Sequence, residues 1–324
     1  MSKSDAVERA MDRLGELPQA PAGDSVLYEL RQFLRNRSNL VVAKAAAVSG
    51  HLNLRVLVPD LLVVFNKLIA DASRLDRRCA ALTEIVAALY KLECDEPAPY
   101  LRGIHHVQQE ESFGPPVDAA ATLRGLSAQG LLRTNHPGAL HDVMPLLVDR
   151  EASARIGAIR ALSMNGGEAG VLLLKLKALH GDSEPEVVGE CFAAMLAAAP
   201  DKSVDFVGHY VDSEDSSTVE LAILALGESR QPSAFGILRQ KWDRTVSRPT
   251  RKLLLLAMAS SRLEEAIAFL ISIVRDSATE TAVDAIQALS MYRSSDRVST
   301  SVGDAVFRRD EQAVSKAFKL SFPG

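Results

Sequence analysis

The residues best suited to chemistry are few and scattered. His105 and His106 precede Glu110 and Glu111, and His136, His141 and Asp142 follow about thirty residues on. Metal binding needs imidazole and carboxylate ligands that converge. Neither an H-E-x-x-H helix nor any Cys–His ligand pair occurs, so these histidines are expected in solvated loops and no metal or other cofactor is assigned. Cys79, Cys94 and Cys191 lie far apart, with no C-x-x-C pair and no local base, which points to core thiols in a reducing compartment. There is no G-x-S-x-G nucleophile elbow, no G-x-G-x-x-G and no P-loop. Asn165-Gly166-Gly167 is a helix terminator rather than a phosphate cradle. The single tryptophan, Trp242, sits in RQKWDR beside Arg239, Lys241 and Arg244, a group that could stack on a base or bind phosphate but better fits a packed indole on an amphipathic helix whose charges face water.

The elements that carry these residues repeat. RIGAIRALSM (155–164), VELAILAL (219–226), RKLLLLAM (251–258) and AVDAIQALSM (282–291) each present apolar residues on one helix face, with small residues three apart in most. Their last apolar positions form the series Leu89, Leu126, Leu162, Met195, Leu226, Met258, Leu289, with gaps of 37, 36, 33, 31, 32 and 31 residues. A period in the thirties predicts an array of helix pairs. A second amphipathic helix follows each of the later motifs, as in GVLLLKLKALH (170–180), SAFGILRQKW (233–242) and EEAIAFLISIV (264–274). Breaks rich in Asp, Ser, Glu and Pro supply caps and turns. No stretch alternates as a strand does, so no sheet is predicted.

This pattern resembles the HEAT-repeat family, including its armadillo-like, PBS-lyase-type members. The resemblance rests on Arg155, Ala158, Ala161 and Leu162 with Asp149 upstream, on Arg251 at the arginine position again, and on Pro185 and Val187 behind Glu184; it spans roughly 38–310. The arginine is missing at Val188, Val219 and Ala282, so the Asp–Arg ladder of strict HEAT repeats is partial. The resemblance implies an all-α fold: a right-handed α-solenoid, an ARM-type superhelix of about seven to eight stacked hairpins. It also implies that the second helix of each pair lines the concave face. HEAT-like arrays include di-iron hydroxylases, whose His-Glu dipeptides are absent here, DNA glycosylases with a basic aromatic groove, and bilin lyases, to whose site no residue of this chain can be matched.

Three segments follow from this reading: a polar cap and Pro-rich linker over 1–24, irregular repeats with Pro-rich loops over 25–137, and regular repeats with a terminal capping helix over 138–324. Charge is also segmented. Residues 164–228 carry a net of −9, residues 229–262 a net of +7 and residues 31–78 a net of +6, while the whole chain is −4. That balance disfavours a sequence-independent nucleic-acid binder. The polar N-terminus has no signal-peptide core and no apolar run is long enough to span a bilayer, so a cytoplasmic protein without membrane attachment is expected. The function expected is a non-catalytic scaffold for a protein partner, with Lys175, Lys177, His209, Arg239, Trp242 and Arg244 as the binding residues. The alternative is a HEAT-like lyase or enzyme accessory subunit, and after that a nucleic-acid binder. Oligomeric state is left open.

Overall fold

Alanine and leucine dominate the apolar positions, and both favour helix. In the computed structural model, which describes residues 3–19 and 23–323, nearly every segment between turns is helical. The chain divides into two units, Met1–Leu174 and Lys175–Gly324. The 137/138 division read from the sequence falls inside the first. Of the Pro-rich linker, Ala20 to Ala22 lie outside the described residues, and Leu17–Gln19 form a 3-10 turn.

The first unit contains α1 (Lys3–Glu16), α2 (Asp24–Leu34), α3 (Asn39–His51), α4 (Val58–Ile69), α5 (Ala72–Leu75), α6 (Ala80–Lys91) and α7 (Pro97–Ile104). A short ribbon of β1 (Gln109–Glu110) and β2 (Val117–Asp118) follows, then α8 (Ala121–Arg133), α9 (Ala139–Val143) and α10 (Ala152–Asn165). Helix α11 (Gly167–His180) runs across the division. Helices α3, α6, α8 and α10 pack in sequence as one layer, and α2, α4, α7 and α9 pack in sequence as the other. Where α8 meets α10 the backbones touch. A Cβ on Gly157 would lie 2.2 Å from the Gly125 Cα, so only glycine fits.

The second unit contains α12 (Pro185–Ala198), α13 (Pro200–Gly208), α14 (Ser216–Glu228), α15 (Pro232–Arg244), α16 (Arg248–Ser260), α17 (Glu264–Asp276), α18 (Thr279–Leu289), α19 (Asp296–Arg309) and α20 (Gln312–Ser321). Helices α12, α14, α16, α18 and α20 form the inner layer in the sense of the more buried one, each packed on the next. The second helices form the other layer, with α13 against α15 and α17 against α19. Each unit is thus an all-α stack of helix pairs of the HEAT-like kind.

Turn chemistry marks the repeat. Helices α3, α6, α8, α10, α14 and α16 each end on a left-handed residue: Asn53, Glu93, Asn135, Gly167, Arg230 and Arg262, with φ between 52° and 57°. This is the usual way to stop a helix, normally with Gly or Asn. At α3 and α6 the next N–H reaches back five residues, from Leu54 to the Ser49 carbonyl (3.1 Å) and from Cys94 to the Leu89 carbonyl (2.9 Å).

One expectation is corrected. The ribbon at 109–118 is a sheet, though one of two residues per strand, too short for alternation to show. Asp118 fixes it by accepting from the Gln108 and Ala120 N–H groups, both at 3.0 Å. The arginines at the ladder positions also hold turn carbonyls. Arg155 donates to the Asp149 and Arg150 carbonyls (2.8 and 3.0 Å) and Arg251 to the Thr245 carbonyl (2.7 Å). The Asp149 carboxylate accepts from Arg124 (2.9 Å).

Candidate partner-binding surface

Helix α15 begins with Pro232 at its first turn, where a missing N–H costs nothing. Its buried residues, Ala234, Phe235, Leu238 and Trp242, share one face. Arg239, Gln240, Asp243 and Arg244 therefore face water. On α17 the buried set is Ala266, Ile267, Leu270, Ile273 and Val274, with Phe269 half-buried between the two helices' outer faces.

Phe269 is the centre of a ring-and-cation cluster. The Arg239 guanidinium lies 3.9 Å from its centroid. Trp242 meets it edge-on at 6.3 Å and Phe235 at 6.2 Å. Arg251, from α16, covers the other side of the story: its guanidinium sits 4.8 Å from the Trp242 ring while its Nε holds the Thr245 carbonyl. A second cluster has the same design. Lys175 Nζ lies 5.3 Å from the Phe206 centroid and donates to the Lys202 carbonyl at 2.7 Å. Phe206 packs on Tyr210 (5.6 Å), which packs on Phe192 (4.7 Å). In each cluster a cation on one second helix covers a ring about one repeat later, 175 to 206 and 239 to 269. Such pairs contribute about 0.5–1 kcal/mol when exposed and more when dry.

Asp212 joins the clusters' supporting elements. It follows α13 and accepts from Lys241 (2.9 Å) and Arg244 (3.4 Å) on α15. The Lys241 hydrogen bond, ahead of burial and the Arg244 charge, holds its carboxyl below the usual range. His209 Nδ1 lies 2.6 Å from the Asp205 carbonyl. A carbonyl only accepts, so Nδ1 carries the proton and Nε2 faces outward.

Of the six residues expected to bind a partner, four are presented on this face: Lys175, His209, Arg239 and Arg244. Two are not. Lys177 is buried, paired to the buried Asp182 at 2.7 Å across the turn that ends α11. Trp242 is 7% exposed and supports Phe269 rather than meeting solvent. Phe206, Phe269, Asp212 and Arg251 were not legible as site residues. The repeat length, applied to ring and cation positions instead of to alanines, is the signal that finds them.

The histidines of the first unit do not converge. His105 Nε2 is 3.5 Å from Asp142, and His106 faces Gln108 at 3.3 Å. Among the described residues no group of three or more His, Cys, Asp or Glu side chains could hold a metal ion. Burial pushes the Cys79 and Cys191 thiols up to about 12, leaving little thiolate near neutrality. No described helix is long and apolar enough to cross a membrane.

No protein-family model matches the chain, and no curated protein does. Among solved structures, the complex of CpcE and CpcF of phycocyanin lyase from Nostoc sp. PCC7120 is similar at 14% identity and a TM-score of 0.36, over 88% of this chain and 96% of that one. At that distance the activity of the lyase stays with the lyase.

Proposed function

We propose that the chain is a non-catalytic protein-binding scaffold that docks its partner on the outer faces of α13, α15 and α17. One observation carries this reading: half-buried rings roofed by partly exposed cations, Arg239 over Phe269 and Lys175 over Phe206, repeated along one layer. Arg and aromatic side chains held rigid at a rim are the groups that dominate protein interfaces, because little side-chain freedom is left to lose on docking. Arg239 is already held by the ring, and its charge is only distantly met by Asp243 at 3.9 Å. A partner carboxylate there gains a charge-assisted bond and an apolar floor together.

The test is affinity capture from the source cells with the full chain, quantified by mass spectrometry. The variant Arg239→Glu/Arg244→Glu reverses both charges, and Arg239→Gln controls for the repulsion that Glu at 244 would feel from Asp212. Loss of the same specific partner from both, with unchanged circular dichroism, supports the reading. Retention of that partner at wild-type level removes this face from consideration.

A further inference from the structure

A second set of arginines in the Lys175–Gly324 unit lies away from that face. Arg230, Arg262 and Arg293 stand at the turns that follow α14, α16 and α18, about one repeat apart. The other basic residues of the 229–262 stretch are engaged: Arg239, Lys241, Arg244, Arg248 and Lys252 with carboxylates, and Arg251 with the Thr245 carbonyl and the Trp242 ring. The Arg230, Arg262 and Arg293 residues are exposed, and their side chains have no ion pair or hydrogen bond among the described residues.

Two of the three occupy backbone that does not favour them. Arg230 has φ 56° and Arg262 φ 57°. A residue with a Cβ pays roughly 1 kcal/mol or more for this conformation, which Gly and Asn avoid. The cap does not demand arginine. Ser229 Oγ donates to the Leu226 carbonyl and Ser261 Oγ to the Met258 carbonyl, both at 2.6 Å. Thr134 Oγ1 makes the same bond to Leu131 (2.7 Å) in the first unit, and there the left-handed residue that follows is Asn135. The turn geometry is met by Asn, so arginine at 230 and 262 adds something other than a helix stop.

Tyr292 fixes the arrangement. Its hydroxyl donates to the Ala259 carbonyl, the same oxygen that accepts the Arg262 N–H (3.2 Å). The phenol therefore lies against the turn of the preceding repeat. Burial raises it above its usual range, and the Arg262 and then the Arg230 guanidinium draw it back, with no carboxylate acting on it.

We propose that Arg230, Arg262 and Arg293 form a docking row for an acidic protein segment in extended conformation, one carboxylate per arginine. Stacked helices lie about 8–10 Å apart, and a segment extended as polyproline II advances about 3.1 Å per residue and returns every third side chain to the same face. Carboxylates at every third position therefore meet successive guanidiniums. Exposed Glu228, Glu265 and Asp296 lie two or three residues in sequence from Arg230, Arg262 and Arg293. A polyphosphate backbone, with its closely spaced and unbroken charge, is disfavoured by a carboxylate so near each arginine in sequence, whereas separate bidentate carboxylates, one per arginine, are disfavoured less.

The probe is a fluorescent peptide with Glu at every third position in a Gly/Ser background, titrated by anisotropy against the full chain at low salt. A single-stranded oligothymidylate of equal charge is titrated beside it. The double variant Arg230→Asn/Arg262→Asn should bind the peptide at least tenfold more weakly while melting no lower than the parent, since Asn suits the left-handed turn. Arg239→Glu/Arg244→Glu should leave peptide binding unchanged, which separates this row from the face on α15. No binding of the peptide by the parent chain, unaltered binding by the Asn variant, or tighter binding of the oligonucleotide than the peptide would each overturn the proposal.

Discussion

The two units solve the same stacking problem by different means. In the Met1–Leu174 unit the repeats vary in length, and their irregular turns are pinned by buried polar groups. Asp76 accepts from the Ala81 and Leu82 N–H groups (2.9 and 2.7 Å). Gln108 reaches the Asp76 carbonyl (2.8 Å). Arg124, 4% exposed, binds Asp118 (2.7 Å) and Asp149 (2.9 Å) and also the His106 carbonyl. In the Lys175–Gly324 unit the repeats hold a steady 31 or 32 residues, and the links between successive second helices lie near the surface, as ion pairs and ring–cation contacts. The lesson is that a regular period needs little beyond small residues in the inner layer, while a departure from it needs a specific polar anchor at each irregular turn.

The largest expected effect breaks the first kind of anchor. Arg124→Met leaves Asp118 and Asp149 buried without their cation, and urea denaturation should show a loss of about 4 kcal/mol. The pH dependence should reverse as well. In the parent, burial opposes ionisation of Asp118, but the Gln108 and Ala120 N–H groups and Arg124 outweigh it and hold the carboxyl below its usual range. A folded value below the unfolded one, near 4, gives stability that is complete above that pH and fades as pH falls through the folded value. Without Arg124 the burial of Asp118 is opposed only by the Gln108 and Ala120 N–H groups, so the variant should become less stable as pH rises from 4 to 7. A constant difference between the two proteins across that range would refute the anchor.

Gly157→Ala comes next, at roughly 3 kcal/mol by the same denaturation, because the new methyl meets the Gly125 backbone. A Cβ on Gly236, within α15, meets nothing within 4 Å, so Gly236→Ala should stabilise by about 0.5–1 kcal/mol. Equal effects at the two glycines would erase the contrast between close-packed inner layer and open outer layer. Between these, Arg251→Ala should cost about 1.5 kcal/mol, from its hydrogen bond to Thr245 and its place over Trp242.

Much of the fold was legible in the sequence because alanine spacing reports the inner layer directly. The anchors Leu162, Leu226, Met258 and Leu289 are all fully buried first-helix residues. The ribbon at 109–118 was not legible, since its stability resides in one aspartate binding groups on both strands' flanks. Lys177 looked like a surface cation because Asp182, its partner, comes near only through the left-handed turn at Gly181. Phe269 was read as one more apolar residue of EEAIAFLISIV, though its ring carries Arg239 of the previous repeat. Sequence periodicity identifies which residues are inside; it does not show which outward residues of neighbouring repeats meet.

The central claim is that a protein partner docks on the outer layer of the second unit. Hydrogen exchange of the full chain, alone and bound to the partner recovered by capture, tests it most directly. The account predicts slowed exchange concentrated in 200–212, 232–244 and 264–276. Protection confined to the inner-layer helices, or to the Met1–Leu174 unit, would contradict it.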